Sequence, residues 1–223
     1  MILVVVVLTA LAFGGLGFYL LSRDDGPNEP LWALLTVFMI GLAAAQLSGV
    51  INDKLIPYPA DTSLGLSGAL MVGIIPGIYE ELLKSLPVAF FVGSQPFFRR
   101  PSDGVIYFAF SGLAFGLLEN IEYTMQQGAL VGFDRLLTLL FFHAATSGIF
   151  GWYFYRARYY HEWPAAMRAA GYLMLAHAGY NFSVAYANAV PLLRVFAYGI
   201  SLSLSLQLIR IYSRARRGDR QAH

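Results

Sequence analysis

The feature that most limits what this chain can become is a succession of apolar stretches, each as long as a bilayer-spanning helix, beginning with MILVVVVLTALAFGGLGFYLL. A span needs about 20 residues, and in hydrocarbon every backbone N–H and C=O must be satisfied internally, so such stretches form helices. Spans are predicted near residues 1–22, 31–51, 65–92, 104–126, 134–156, 165–187 and 190–210. Turn-forming segments separate them, among them RDDGPNEP, NDKLIPYPADTS, QPFFRRPSDG and RARYYHEWP. The expected fold is all-α, a polytopic membrane protein of about seven transmembrane helices. It forms one integral membrane domain over 1–223 with a basic cytoplasmic tail at 211–223. The first stretch lacks a basic leading region and exceeds the apolar core of a signal peptide, so it reads as a retained span.

Composition narrows the chemistry. The chain is 57% hydrophobic and 13% charged, about half the charged fraction of a soluble domain. It has no cysteine, which excludes disulfides, thiolate metal ligands and a thiol nucleophile. The basic residues set the orientation. One side gathers Arg23, Arg99, Arg100, Arg156, Arg158, Arg168 and the arginines from 210 to 220, and the other keeps Lys54, Arg135 and Arg194. The positive-inside rule then predicts the N-terminus outside and the C-terminus in the cytoplasm.

Against this background the stretch GIYEELLKSLP at 77–87 is costly. A charge at the bilayer centre costs roughly 2.5–3.5 kcal/mol on insertion scales, so Glu80, Glu81 and Lys84 need partners or a task. The neighbouring spans carry polar groups too: Glu119, Asn120 and Glu122, then His143, then His177 and Asn181. With a rise of about 1.5 Å per residue, Glu80, Glu81, Glu119, His143 and His177 all fall within roughly 6 Å of the midplane. Four antiparallel helices placing acids and imidazoles at one depth is what a buried site needs.

Each residue also has a plainer reading. Glu80 and Lys84 are four apart with the acid first, the favourable order for a helical ion pair, and so they are expected to neutralise each other. Glu81 lies about 100° around the helix and is left unexplained by that pair. Either histidine alone could be interhelical glue, as could Asn181, one turn beyond His177. Glu122, one turn outward from Glu119, reads as structural. Pro76 with Gly73 and Gly77 is expected to loosen the third helix and help water reach the glutamates.

Several reactions are excluded. Asp103 and Asp134 sit at span ends, so no intramembrane aspartyl dyad forms, and no HExxH zinc motif exists. ATSG at 145–148 is similar to the rhomboid nucleophile motif without its first Gly, leaving Ser147 with His177 as a serine route that ignores the carboxylates.

EELLK at 80–84, DGVIYFAFSGLAFGLLENIEY at 103–123, HAATSGIFGWY at 143–153 and HAGYNF at 177–182 together resemble the PrsW family of bacterial intramembrane proteases. That family is related to the CAAX prenyl proteases and to the Aph-1 subunit of gamma-secretase. The resemblance covers residues 65–187, which become the expected four-helix catalytic core. It implies cleavage of a membrane-anchored, single-pass protein in the bacterial cytoplasmic membrane, by analogy site-one cleavage of an anti-sigma factor. Carried over, the family's acids fall on Glu80, Glu81 and Glu119 and its histidines on His143 and His177. Asn181 stands where many members carry a polar residue, often Asp.

Two mechanisms use these residues. In the first, with no metal cofactor, a glutamate of the pair activates water, with Glu81 as the base or its partner and Glu80 held by Lys84; His143 and His177 orient the water and stabilise the intermediate, aided by Asn181, with Asn120 in a supporting place. In the second, Glu119, His143 and His177 hold zinc and a glutamate of the pair is the base. A non-catalytic scaffold, as Aph-1 suggests, or a small proton- or ion-coupled transporter is the alternative outside enzymology. Inverted repeats would mark a transporter, and the sequence contains none.

Overall fold

The computed structural model describes residues 1–22, 29–56, 65–139 and 141–221. Eight helices form among them: α1 (Ile2–Ser22), α2 (Leu31–Leu55), α3 (Leu66–Gly93), α4 (Pro101–Gln127), α5 (Ala129–Leu139), α6 (Phe142–Tyr160), α7 (Trp163–Tyr186) and α8 (Leu192–Gln221). Among the described residues there is no strand. Helices α1, α2, α3, α4 and α8 are long and apolar enough to cross a membrane. Arg23 and the turn segments at 23–28 and 57–64 lie outside the described residues.

Helix α4 is the post around which the others pack. Its apolar window is 72% buried, against 22–33% for the other four long apolar helices, and it touches α1, α2, α3, α5, α6 and α8. Such contact on every side requires small residues. A side chain on Gly112 would collide with the carbonyl of His143 on α6, and the backbones of α4 and α6 meet again at Gly104 and Gly151. Lipid gives helices no hydrophobic reason to associate, so this backbone approach and its dispersion contacts hold the bundle. At the start of α4, Asp103 accepts from the backbone N–H groups of Arg99 and Arg100, both at 2.7 Å. Arg100 ties the same carboxylate to Glu29 before α2. These bonds occupy donors that the helix start leaves without a partner.

Two expectations need correction. The predicted fifth span, 134–156, is not one helix. Its first part belongs to α5, and α6 begins only at Phe142. No Gly or Pro lies between Phe133 and Ser147 to signal the break. The physical cause is that Arg135 and His143 bind the same carboxylate, that of Glu119. In one continuous helix their Cα atoms would stand about 12 Å apart along the axis.

Nor do Gly73 and Gly77 loosen α3, which is helical throughout despite Pro76 and Pro87. Both glycines face α7, where a Cβ on Gly77 would sit 2.5 Å from the backbone nitrogen of Ala178. They are the contact through which α3 and α7 close. Pro76, by contrast, does line a cavity. Helix α8 continues through the basic stretch 211–221, with Ile211, Tyr212 and Ala215 buried and the Tyr212 hydroxyl donating to the carbonyl of Leu20.

The packing predicts that Gly77→Val destabilises the folded protein by about 1–3 kcal/mol through overpacking. Gly14→Ala, which meets nothing within 4 Å, is expected to cost nothing. Thermal unfolding in detergent compares the two.

Candidate active site

Helix α3 presents Glu80, Glu81 and Lys84 to the interior, all buried, with Lys84 fully enclosed. Lys84 pairs with Glu81 at 2.7 Å, not with Glu80 as expected. Positions three and four apart are both reachable on a helix, so neighbouring helices decide. His177 Nδ1 from α7 stands 2.7 Å from Glu81 Oε1, completing a two-donor cradle with the ammonium. Glu80 faces the other way. It accepts from Ser48 Oγ of α2 at 2.7 Å, and its second oxygen lies 3.4 Å from His177 Nε2.

On its other side Lys84 reaches His143 Nδ1 at 3.2 Å, and His143 Nε2 reaches Glu119 Oε2 at 2.8 Å. Arg135 of α5 closes the line, 2.9 Å from Glu119 Oε1. One line of close polar contacts therefore runs Arg135, Glu119, His143, Lys84, Glu81, His177, Glu80 across five helices. Its directions can be assigned from its partners. An ammonium only donates, so His143 Nδ1 accepts and the ring carries its proton on Nε2, donating to Glu119. With Glu81 accepting throughout, His177 donates from Nδ1, and its Nε2 stands 3.4 Å from Glu80, a contact that is attractive only while one of the two carries a proton.

Water can reach this line. A cavity of about 570 Å³ is lined by Pro76, Glu80, Glu119, Arg135, Tyr180 and Asn181, among others. A second of about 590 Å³ shares Asn52, Glu119, Tyr123 and Gln127 with it. Both lie toward the end of the bundle where α2, α4 and α7 finish and α3 begins.

The line gathers five of the expected site residues, Glu80, Glu81, Glu119, His143 and His177, together with Lys84, and Asn181 lines the adjoining cavity. Asn120 is not brought in. It projects to the far side of α4 and donates to Thr9 of α1 at 2.7 Å, because it lies about 100° around the helix from Glu119. Glu122 accepts from Gln46 of α2. Ser147 is buried against Gly112, without a hydrogen-bond partner for its Oγ, while both ring nitrogens of His177 face carboxylates. The serine route thereby loses its base.

Sequence reasoning missed Ser48 and Arg135. Ser48 carried a faint signal: with Asn52 it forms a polar i, i+4 pair in an apolar span. Arg135 carried none, since as part of a continuous span it counted only as an outer charge.

The donor set also tests the expected zinc ligands, Glu119, His143 and His177. A histidine that ligates through one nitrogen donates from the other to an acceptor. His143 Nδ1 faces the Lys84 ammonium, which cannot accept, so Nε2 must keep its proton. His143 does not fit as a ligand here. Among the described residues no three His, Asp or Glu side chains are arranged to hold a metal ion.

Comparison with known proteins bears on the same residues. The family model described as PrsW family intramembrane metalloprotease matches residues 29–207. Protease PrsW of Geobacillus kaustophilus is 33% identical over 64% of this chain and 60% of its own length. That of Bacillus subtilis is 31% identical over 64% and 62%, and that of Shouchella clausii 27% over 74% and 75%. The chain thus spans about three-fifths of the length of the first two. No solved structure matches it. A bacterial membrane protein of interlocked helices with acids and imidazoles at its centre, the chain belongs to the PrsW family of intramembrane proteases.

Proposed function

We propose that this chain is an endopeptidase that hydrolyses a peptide bond of a membrane-anchored, single-pass protein, with Glu80 as the general base. The observation that carries this reading is the unequal treatment of the two adjacent glutamates. Glu81 is held by an ammonium and an imidazole, whereas Glu80 borders the cavity with a serine hydroxyl as its donor and His177 Nε2 3.4 Å away. Within the line two cations face three carboxylates, so Glu80 is the one without a cation in contact. A base must be able to accept a proton, and Glu81, fully engaged, is poorly suited.

Water between Glu80 and the scissile carbonyl gives one proton to the carboxylate as its oxygen bonds to the carbonyl carbon. The Asn181 amide, at the wall of the same cavity, donates to the oxygen on which negative charge develops. Glu80 returns the proton to the amide nitrogen as the C–N bond breaks, leaving a carboxylic acid and an amine. Ser48 keeps Glu80 oriented, and Lys84 and His177 keep Glu81 in place beside it. The positive charges gathered at one side support an N-terminus outside and C-terminus inside, which opens the cavity to the exterior. Site-one cleavage of an anti-sigma factor suits that orientation.

Zinc chemistry is the second reading, favoured by the family description alone. Purified protein is expected to contain no stoichiometric zinc and to cut equally well with chelator; zinc at one per chain together with chelator-sensitive cleavage would overturn the glutamate mechanism.

The substrate for such assays is the membrane protein that accumulates uncut when this chain is deleted, tagged and co-expressed with it. Glu80→Gln and His177→Ala are expected to lower cleavage by about 10²–10⁴-fold, and Ser147→Ala to leave it unchanged. Full cleavage by Glu80→Gln would remove Glu80 from the role.

Lys84→Met leaves Glu81 buried without its cation, a loss of about 3–5 kcal/mol for a broken buried pair. It is therefore expected to show as a lowered unfolding temperature as well as lost cleavage.

A further inference from the structure

The hydrolysis scheme gives Arg135 no task, although it is the second cation of the line and only 13% exposed. It arrives on its own helix. The chain reverses between α4 and α5 at Gly128, whose φ of 94° suits glycine. Helix α5 is then fastened by Gly132 lying against Thr124 and by Tyr198 of α8 donating to Asp134 at 2.6 Å. The guanidinium stacks on the Tyr123 ring with its carbon 3.6 Å from the centroid, which fixes its plane while it binds Glu119 at 2.9 Å.

We propose that Arg135 is a positioning residue for the hydrolysis described above, on which this assignment rests. Held at Oε1 by Arg135, the Glu119 carboxylate offers Oε2 to His143 and keeps the imidazole proton on Nε2. That tautomer in turn lets Lys84 donate to Nδ1 while it holds Glu81. The wider surroundings make the guanidinium necessary. Glu119 is 20% exposed at the junction of two cavities and is repelled by Glu80 of α3 and Glu122 of α4. Its other close neighbours are His143 of α6 and His177 of α7, with Lys84 of α3 one step further along the line. Without the guanidinium the carboxylate is free to turn toward water. His143 then loses one of the two partners that together hold its tautomer, leaving Lys84 alone to fix it, and the contacts that Lys84 shares between His143 and Glu81 shift with it.

The proposal concerns a proton on a named ring, and it can be read without turnover. Full-length protein labelled with ¹⁵N-histidine in lipid bilayers, with His143→Gln to identify the signals, is expected to show one protonated and one bare nitrogen at His143. In Arg135→Ala this pattern is expected to give way to mixed tautomers, and added guanidinium, which the neighbouring cavity admits, to restore it. In the cleavage assay kcat is expected to fall on the order of 10²-fold with KM unchanged, to recover with guanidinium, and to be partly retained in Arg135→Lys. Unaltered His143 nitrogens in Arg135→Ala overturn the proposal. So does a loss of kcat that neither guanidinium nor lysine relieves in a variant that melts like the parent. Wild-type protein that cuts nothing while its His143 signals respond as expected would refute the hydrolysis and leave the positioning role standing.

Discussion

An ammonium with no exposure to solvent is the element on which the rest of the site depends. Lys84 touches Glu81 and His143 and lies 5.4 Å from the Phe115 ring. Taking two charges out of water costs several kcal/mol per ion even after relaxation, and only close contact with good partners offsets it. Geometry here is therefore constrained from both ends. If Lys84 is to remain charged, Glu81 must remain beside it, and His143 must turn a lone pair toward it. From those two demands the proton position on His143 follows, together with the distinction between the two glutamates.

The backbone arrangement serves the same end. Glycines at the α4–α6 and α3–α7 contacts let those helices approach closely enough for short polar side chains to meet across them. Lys84 also has its own carbonyl bonded by Ser111 of α4 at 2.9 Å, so the helix that carries the cation is pinned at the same level. Residues that look like separate packing and chemical features are parts of one arrangement. A bundle any wider would leave the line broken at its 3.2 Å and 3.4 Å links first.

Much of this was legible in the sequence. Apolar length gave the helical class, and the cost of charge in lipid singled out Glu80, Glu81, Glu119, His143 and His177, all of which meet. What could not be read were choices made between helices. Whether Lys84 turns to the acid three or four residues away depends on His177 and Ser48, which come from α7 and α2. Gly73 and Gly77 suggested looseness because nothing local says which helix will press against them. The break before α6 has no local signature at all, since it is imposed by two residues converging on one carboxylate, and so Arg135 stayed hidden. Asn120 shows the converse: it is next to Glu119 in sequence and on a different face in space.

The polar line also stops. Beyond Lys84, toward the end of the bundle where α3 finishes, Val88, Val92, Val105 and Phe108 are completely buried. They separate the site from the Asp103 cluster, about 12 Å along α4 from Ser111. Both cavities lie on the opposite side. Charge inside a bilayer is costly, and this apolar layer is where the line of charged and polar side chains ends. The helices thus give the polar line two unlike sides, open cavities toward one end of the bundle and a layer of buried apolar side chains toward the other.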